Sequence, residues 1–202
     1  MSIIISAIMN FLGHIYLSHG IEEITIGNFI GDFVKGNKHE NYPPEIQKGI
    51  LLHREIDRFT DHDEQIRASS TRLKPDFGRY SAVVIDVFID YLLATSWKKF
   101  HPLSLEEFSQ DFFRIITKNK PLLPERVQGF VPHMIEHNWL TGYATLYGIE
   151  RSLKGIDRRT SRDTQLYKAT GILEKNYTEF QAEFMEYFPR VIQHTKAFLG
   201  ID

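Results

Sequence analysis

The sequence contains no cysteine. That excludes disulfides, thiolate nucleophiles and thiolate metal sites, so any metal must be held by imidazole and carboxylate. Charge of one sign is also missing: 24 Lys and Arg against 26 Asp and Glu leave a formal net charge of −2. No global field therefore draws the chain to nucleic acid or anionic lipid. No segment offers the roughly 20 consecutive apolar residues of a membrane-crossing helix. The first eight residues, MSIIISAI, are apolar but have neither the basic start nor the length of a signal peptide. Beyond them no useful stretch alternates apolar and polar residues as a strand does, and no repeat, low-complexity tract or linker divides the 202 residues. The expectation is one all-α domain over residues 1–202, compatible with a cytoplasmic protein, with residues 1–8 as a possible extension before a second Met at position 9.

What the chain does have is apolar bulk, with 15 Phe, 9 Tyr and 2 Trp. The stretch SAVVIDVFIDYLLA, Ser81 to Ala94, is apolar except for its hydroxyls and two aspartates, Asp86 and Asp90. On a helix, residues four apart share a face. Two carboxylates one turn apart are thus driven into an apolar interior, and an unpaired buried carboxylate costs several kcal/mol. They need a metal, a cation or a shared proton.

The preceding helices offer polar groups at the same spacing. Asn10 to His19 reads as a short helix stopped at Gly20, carrying Asn10, His14 and Ser18 in a line. Thr25 is a plausible N-cap for a helix from Ile26 to Lys35, with Gly27 and Gly31 on one side and Asn28 and Asp32 beside them. A helix from Glu45 to Asp61, opened by Pro43-Pro44, sets His53 and Asp57 four apart, with Asp61 a turn further. His53 and Asp57 can reach one cation together; taken alone, they fit ordinary pairs with Arg54 and Arg58 equally well. Packed on their apolar faces, these helices would bring His14, Asn28, Asp32, His53, Asp57, Asp61, Asp86 and Asp90 to one cleft. Such a donor set suits Mn²⁺, Mg²⁺ or Fe²⁺, and Lys35, Arg54 and Arg58 are available to neutralise phosphate oxygens.

Further along, a helix from Asp63 to Leu73 ends in a break at Pro75 to Gly78. Ser104 and Glu107 form a capping box for a helix from Leu105 to Lys118. A helix from Glu125 to His137, interrupted by Pro132, carries His133 and His137, which match a metal pair in spacing only. Another helical stretch runs from Trp139 to Leu153. The basic window Arg151 to Arg162 is either a solvated loop or a dock for an acidic partner. A last helix runs from Asp163 to Phe188, with Pro189 expected to bend or restart it.

Residue chemistry alone reaches a helical, metal-assisted hydrolase of a phosphorylated substrate. The motifs MNFLGHIYLSH, GNFIGDFVKG, PPEIQKGILLHREIDRFTD and RYSAVVIDVFIDYLLATSW, in this order, also resemble the acyl carrier protein phosphodiesterase family. The resemblance implies a single-domain helical bundle, HD-domain-like. It implies hydrolysis of the phosphodiester joining 4′-phosphopantetheine to a serine of holo-acyl carrier protein, with Mn²⁺ as cofactor and that acidic carrier as partner. It assigns Asp32, His53, Asp57, Asp86 and Asp90 to metal. His14, Asn28 and Arg54 are expected in catalysis, and Lys35 and Arg58 at the substrate. The family often has His where this chain has Tyr91. An HD-like hydrolase of nucleotides or other small phosphodiesters, and a non-catalytic helical module binding an acidic carrier, are the alternatives.

Overall fold

In the computed structural model, which describes residues 11–160 and 164–202, the chain folds into eleven α-helices joined by turns and short 3₁₀ helices, with no strand among the described residues. The expectations on Asn10, Met9, the first eight residues, Arg162 and Asp163 lie outside the described residues. The α-helices are α1 Phe11–Tyr16, α2 Glu22–Ile30, α3 Pro44–His62, α4 Glu64–Phe77, α5 Ser81–Thr95, α6 Leu105–Lys118, α7 Glu125–Glu136, α8 Trp139–Gly142, α9 Leu146–Asp157, α10 Ala169–Lys175 and α11 Tyr177–Leu199. One hydrophobic core joins them, and α5 supplies its middle with Val84, Ile85, Val87, Phe88, Leu92 and Leu93, all buried. No helix among the described residues is long and apolar enough to cross a membrane.

The α2–α3 pair frames everything that follows. Gly27 and Gly49 let the two backbones touch: a Cβ at Gly27 would sit 2.2 Å from the Ile46 carbonyl oxygen, and one at Gly49 2.4 Å from that of Ile24. Backbone cannot retreat as a side chain can, so Gly27→Ala must part the helices. The expected cost is about 3 kcal/mol or more, at the upper end for overpacking. Thermal unfolding of the variant measures it, and an unchanged midpoint would mean that the pair slides apart freely.

Several helix boundaries differ from the sequence reading, each for a physical reason. Thr25 is not an N-cap: it lies inside α2, its hydroxyl donating to the Ile21 carbonyl at 2.8 Å. α2 gives way to a 3₁₀ turn at Gly31–Phe33 rather than running on to Lys35. Asp63 caps α4, accepting from the Gln65 N–H at 2.9 Å, and also takes Arg190 at 2.6 Å. Prolines fail to stop three helices. Pro75 lies within α4, Pro132 within α7 and Pro189 within α11. A lost backbone bond is outweighed where the flanks are well buried, as at Phe184, Tyr187, Phe188 and Val191 around Pro189. The expected helix from Asp163 to Phe188 is instead α10 and α11, parted at Asn176, and α11 continues to Leu199. The stretch from Trp139 to Leu153 is likewise two helices, α8 and α9, and Arg151 belongs to α9 rather than to a loop.

Candidate active site

α1 and α3 each bring one imidazole to the same point. The rings of His14 and His53 stack with centroids 4.1 Å apart and planes 24° from parallel. Close packing puts His53 there: a Cβ at Gly31 would lie 2.3 Å from its Cγ, so only glycine lets the ring rest on the 3₁₀ turn. Asp57, one turn along α3, faces both rings. Its Oδ1 is 3.4 Å from Nε2 of His14 and its Oδ2 3.5 Å from Nε2 of His53. Asp32 completes the group, with Oδ1 3.5 Å from Nε2 of His53.

Asn28 on α2 fixes both tautomers. Its side-chain amide donates to the His14 carbonyl at 2.7 Å and to Ser18 Oγ at 3.1 Å, so its Oδ1 faces Nδ1 of His14 at 2.9 Å as an acceptor. Its main-chain carbonyl lies 2.9 Å from Nδ1 of His53. Neither oxygen can donate, so both Nδ1 atoms carry hydrogen. In the neutral rings Nε2 is then a lone pair on each, and both lone pairs point at carboxylate oxygens.

That arrangement has two resolutions. Protonating both rings stacks two cations 4.1 Å apart, a repulsion of about 4 kcal/mol at an effective dielectric constant near 20. A divalent cation instead takes both lone pairs and the carboxylates together. Donors bound side by side on one ion, with bonds near 2.1 Å, lie about 3 to 3.5 Å apart, which is the spacing seen. One ligand atom from each of His14, His53 and Asp57 falls within 4.8 Å of the others. The residues therefore fit a divalent cation, with His14, His53 and Asp57 as first donors and Asp32 beside them.

The electrostatics agree. Burial alone would lower the His53 pKa, but the Asp32 and Asp57 carboxylates override it and raise the value. Burial would raise Asp57, yet His14 and His53 hold it below its ordinary value. Asp86 is pushed well above the carboxylate range, first by burial and then by repulsion from Asp57, Asp61, Asp32 and Asp90. Asp61 is raised by burial and by Asp57. A concentration of acid around two imidazoles is what a bound cation relieves.

Other expected site residues go elsewhere. Asp90 is fully buried, and its carboxylate accepts from the backbone N–H of Gly13 at 2.8 Å and of Leu12 at 3.2 Å, with Tyr143 as a third partner. Asp90 anchors the first turn of α1 and so places His14, instead of joining the cluster as a ligand. Asn28 is fully buried too, and positions the imidazoles without reaching reacting atoms. Arg54 is held against the turn after α2, where its Nη2 donates to the carbonyls of Val34 at 3.0 Å and Gly36 at 2.7 Å. Arg58 is exposed and pairs with Glu55 rather than facing the cluster. Lys35 is exposed and close enough to lower the pKa of Asp57. Tyr91 packs edge-on against Tyr177 at 6.3 Å. His133 and His137 form a separate exposed group with Glu136 on α7. Sequence reasoning missed the Asn28 carbonyl and the Tyr143–Asp90 contact, since neither a backbone acceptor nor a partner so distant in sequence leaves a spacing signal.

The profile of the acyl carrier protein phosphodiesterase family matches residues 9–191. The chain belongs to this family. Proteins named acyl carrier protein phosphodiesterase from Serratia proteamaculans and Yersinia pestis are 33% and 31% identical to it, each over 93% of this chain and 98% of their own. One from Klebsiella pneumoniae is 31% identical over 92% of this chain and 96% of its own. No solved structure matches the chain. All the cluster residues of this family member lie within the matched span.

The pKa of Asp90 gives a test of its anchoring role. Burial lifts it from 3.8 to about 7, against the opposing pull of the Gly13 and Leu12 N–H groups. Between those values the folded protein holds a proton that the unfolded chain releases. Its contribution to stability is therefore complete at low pH and is lost as pH rises through about 7. Asp90→Asn keeps one oxygen for α1 and never ionises. Unfolding midpoints of chelator-treated protein across this range should fall less with pH in the variant. Parallel profiles would assign the proton to another group.

Proposed function

We propose that this protein is a metal-dependent phosphodiesterase that hydrolyses the bond between 4′-phosphopantetheine and a serine of holo-acyl carrier protein. The products are apo-acyl carrier protein and 4′-phosphopantetheine. The observation that carries the metal is the convergence of the two Nε2 lone pairs, their tautomers set by Asn28, on the Asp57 carboxylate. The names of the relatives support the substrate. His14, His53 and Asp57 hold the ion in this reading, Asp32 supplies negative charge beside it, and Asp86, whose ionisation burial and its acidic neighbours oppose, would ionise once a cation offsets them. A divalent cation there acidifies water and stabilises charge on a phosphoryl oxygen. Mn²⁺ and Fe²⁺ suit mixed imidazole and carboxylate donors, and Mg²⁺ suits them less closely. Lys35, exposed at the rim, neutralises a phosphate oxygen as the diester enters. The reading includes a distant kinship with HD-domain hydrolases, with the usual adjacent His-Asp pair spread over His53 and Asp57, and it puts the protein in the cytoplasm.

The test is to incubate chelator-treated protein with holo-acyl carrier protein and Mn²⁺ and weigh the carrier by mass spectrometry. The expected result is loss of the prosthetic-group mass, dependent on the metal. An intact prosthetic group while small phosphodiesters are cleaved would replace this reading with a hydrolase of nucleotides or similar diesters. Indifference of every substrate to protein and metal would leave a non-catalytic module.

A further inference from the structure

A cluster of guanidinium groups lies outside the histidine site and is physically continuous with it. A cavity of about 230 Å³ opens between the end of α7, α8 and α9, lined by Arg151, Arg158, Arg159, His137, Trp139 and Tyr143. The arginines are exposed. The acids of α9 are turned to other work: Glu150 pairs with Lys154, and the Asp157 carboxylate accepts from the backbone N–H groups of Leu166 at 2.9 Å and Tyr167 at 3.4 Å. Arg126 extends the positive strip toward the active site. Its guanidinium lies 5.7 Å from the centre of the Phe33 ring, the residue after Asp32. Phe33 packs on Phe130, and Phe130 stacks on Trp139 at 5.9 Å with planes 3° from parallel, so one aromatic ridge joins the site to the cavity. Desolvation, then repulsion from Arg126 and Arg158, holds Arg159 below the ordinary arginine value, so these groups share one field. The floor residue Tyr143 also touches Asp90, which seats α1.

We propose that this strip, Arg126, Arg158, Arg159 and Arg151, docks an acidic face of the protein substrate, with a carboxylate of the partner entering the cavity. The inference rests on the proposed function for the partner's identity. The cavity is smaller than the roughly 300 Å³ at which small-molecule pockets begin, and it suits one or two inserted side chains. Guanidinium forks bind carboxylates in pairs of parallel hydrogen bonds. The docking field lies on α7 and α9, and the aromatic ridge spans the interval to the cation cluster.

Fluorescently labelled holo-acyl carrier protein titrated with the full-length protein tests this by anisotropy, which needs no turnover. Arg126→Glu with Arg158→Glu should weaken binding by roughly tenfold or more, and Arg126→Gln with Arg158→Gln by less. The reversed protein should also lose most of the salt dependence that the wild type shows. All these side chains are exposed, and the glutamine pair guards against a folding defect. Equal affinity and an equal salt slope in wild type and reversed protein would overturn the docking face. Binding that is weakened by charge reversal while the wild type leaves the prosthetic group intact would uphold the face and reject the phosphodiesterase reading. A wild type that does not bind the carrier at all rejects both.

Discussion

Asp57→Asn should lower turnover of holo-acyl carrier protein by more than about a hundredfold without unfolding the protein. Outer partners of metal ligands already cost about 10–100-fold when removed, and the proposed function makes Asp57 a ligand itself. Its two oxygens face Nε2 of His14 and Nε2 of His53 at 3.4 and 3.5 Å. An asparagine turns an N–H toward one of these lone pairs and removes the charge that draws the cation. The Asp57 side chain is 49% exposed, so the substitution leaves no buried gap. Adding Mn²⁺ at about 100 times its Kd should stabilise the wild type by about 2.7 kcal/mol, a rise of several degrees in Tm for a chain of this size. The variant should show no such rise. A variant that keeps both turnover and the Mn²⁺-induced rise would take Asp57 out of the site.

Asn28→Ala should damage stability and metal binding together. Asn28 is fully buried and ties four groups: Nδ1 and the carbonyl of His14, Ser18 Oγ, and Nδ1 of His53. Alanine keeps only the main-chain acceptor for His53. The His14 Nδ1–H loses its only acceptor in a dry place, which costs about 1–3 kcal/mol; the His14 carbonyl keeps the Ser18 hydroxyl at 3.0 Å, and the lost side-chain volume adds to the cost. We expect about 2–4 kcal/mol less stability by denaturant unfolding. Divalent affinity should fall about 10–100-fold as His14 loses its set tautomer. Asn28→Asp separates the two effects: it keeps an acceptor for Nδ1 of His14 but presents oxygen, not N–H, to the His14 carbonyl. Its affinity should fall less than that of the alanine variant. If Asn28→Ala binds the ion as tightly as the wild type, the tautomer argument is wrong.

The all-α fold is legible in the residues because amphipathic periodicity survives wherever a helix faces the core, as along α6, which begins and ends where its capping box and Lys118 predict. Boundaries set by burial are not legible. Pro189 reads as a bend or a restart after a helix ending at Phe188, yet α11 runs through it to Leu199 because its neighbours are locked in the core. In the site, the spacing of His53 and Asp57 is plain on one helix. The convergence of His14 and His53 on one cleft is expected from their helices, but the stacking of the two rings is not, because it depends on how closely Gly31 lets the His53 ring approach and on the Gly27–Gly49 contact between α2 and α3. Asp86 and Asp90 look equivalent in sequence. They separate only in space, where the start of α1 takes both oxygens of Asp90 and the acidic cluster surrounds Asp86. The engagement of Arg54 is equally invisible in sequence: its spacing offers it to phosphate, and only the fold shows two backbone carbonyls taking its Nη2.

The most direct measurement is the amount of free Mn²⁺ left in solution, read by electron paramagnetic resonance as chelator-treated protein is titrated with the ion. The wild type should remove the free-ion signal stoichiometrically, and His53→Ala and Asp57→Asn should leave it rising from the first addition. A wild-type titration indistinguishable from those of the two variants would contradict the account at its centre.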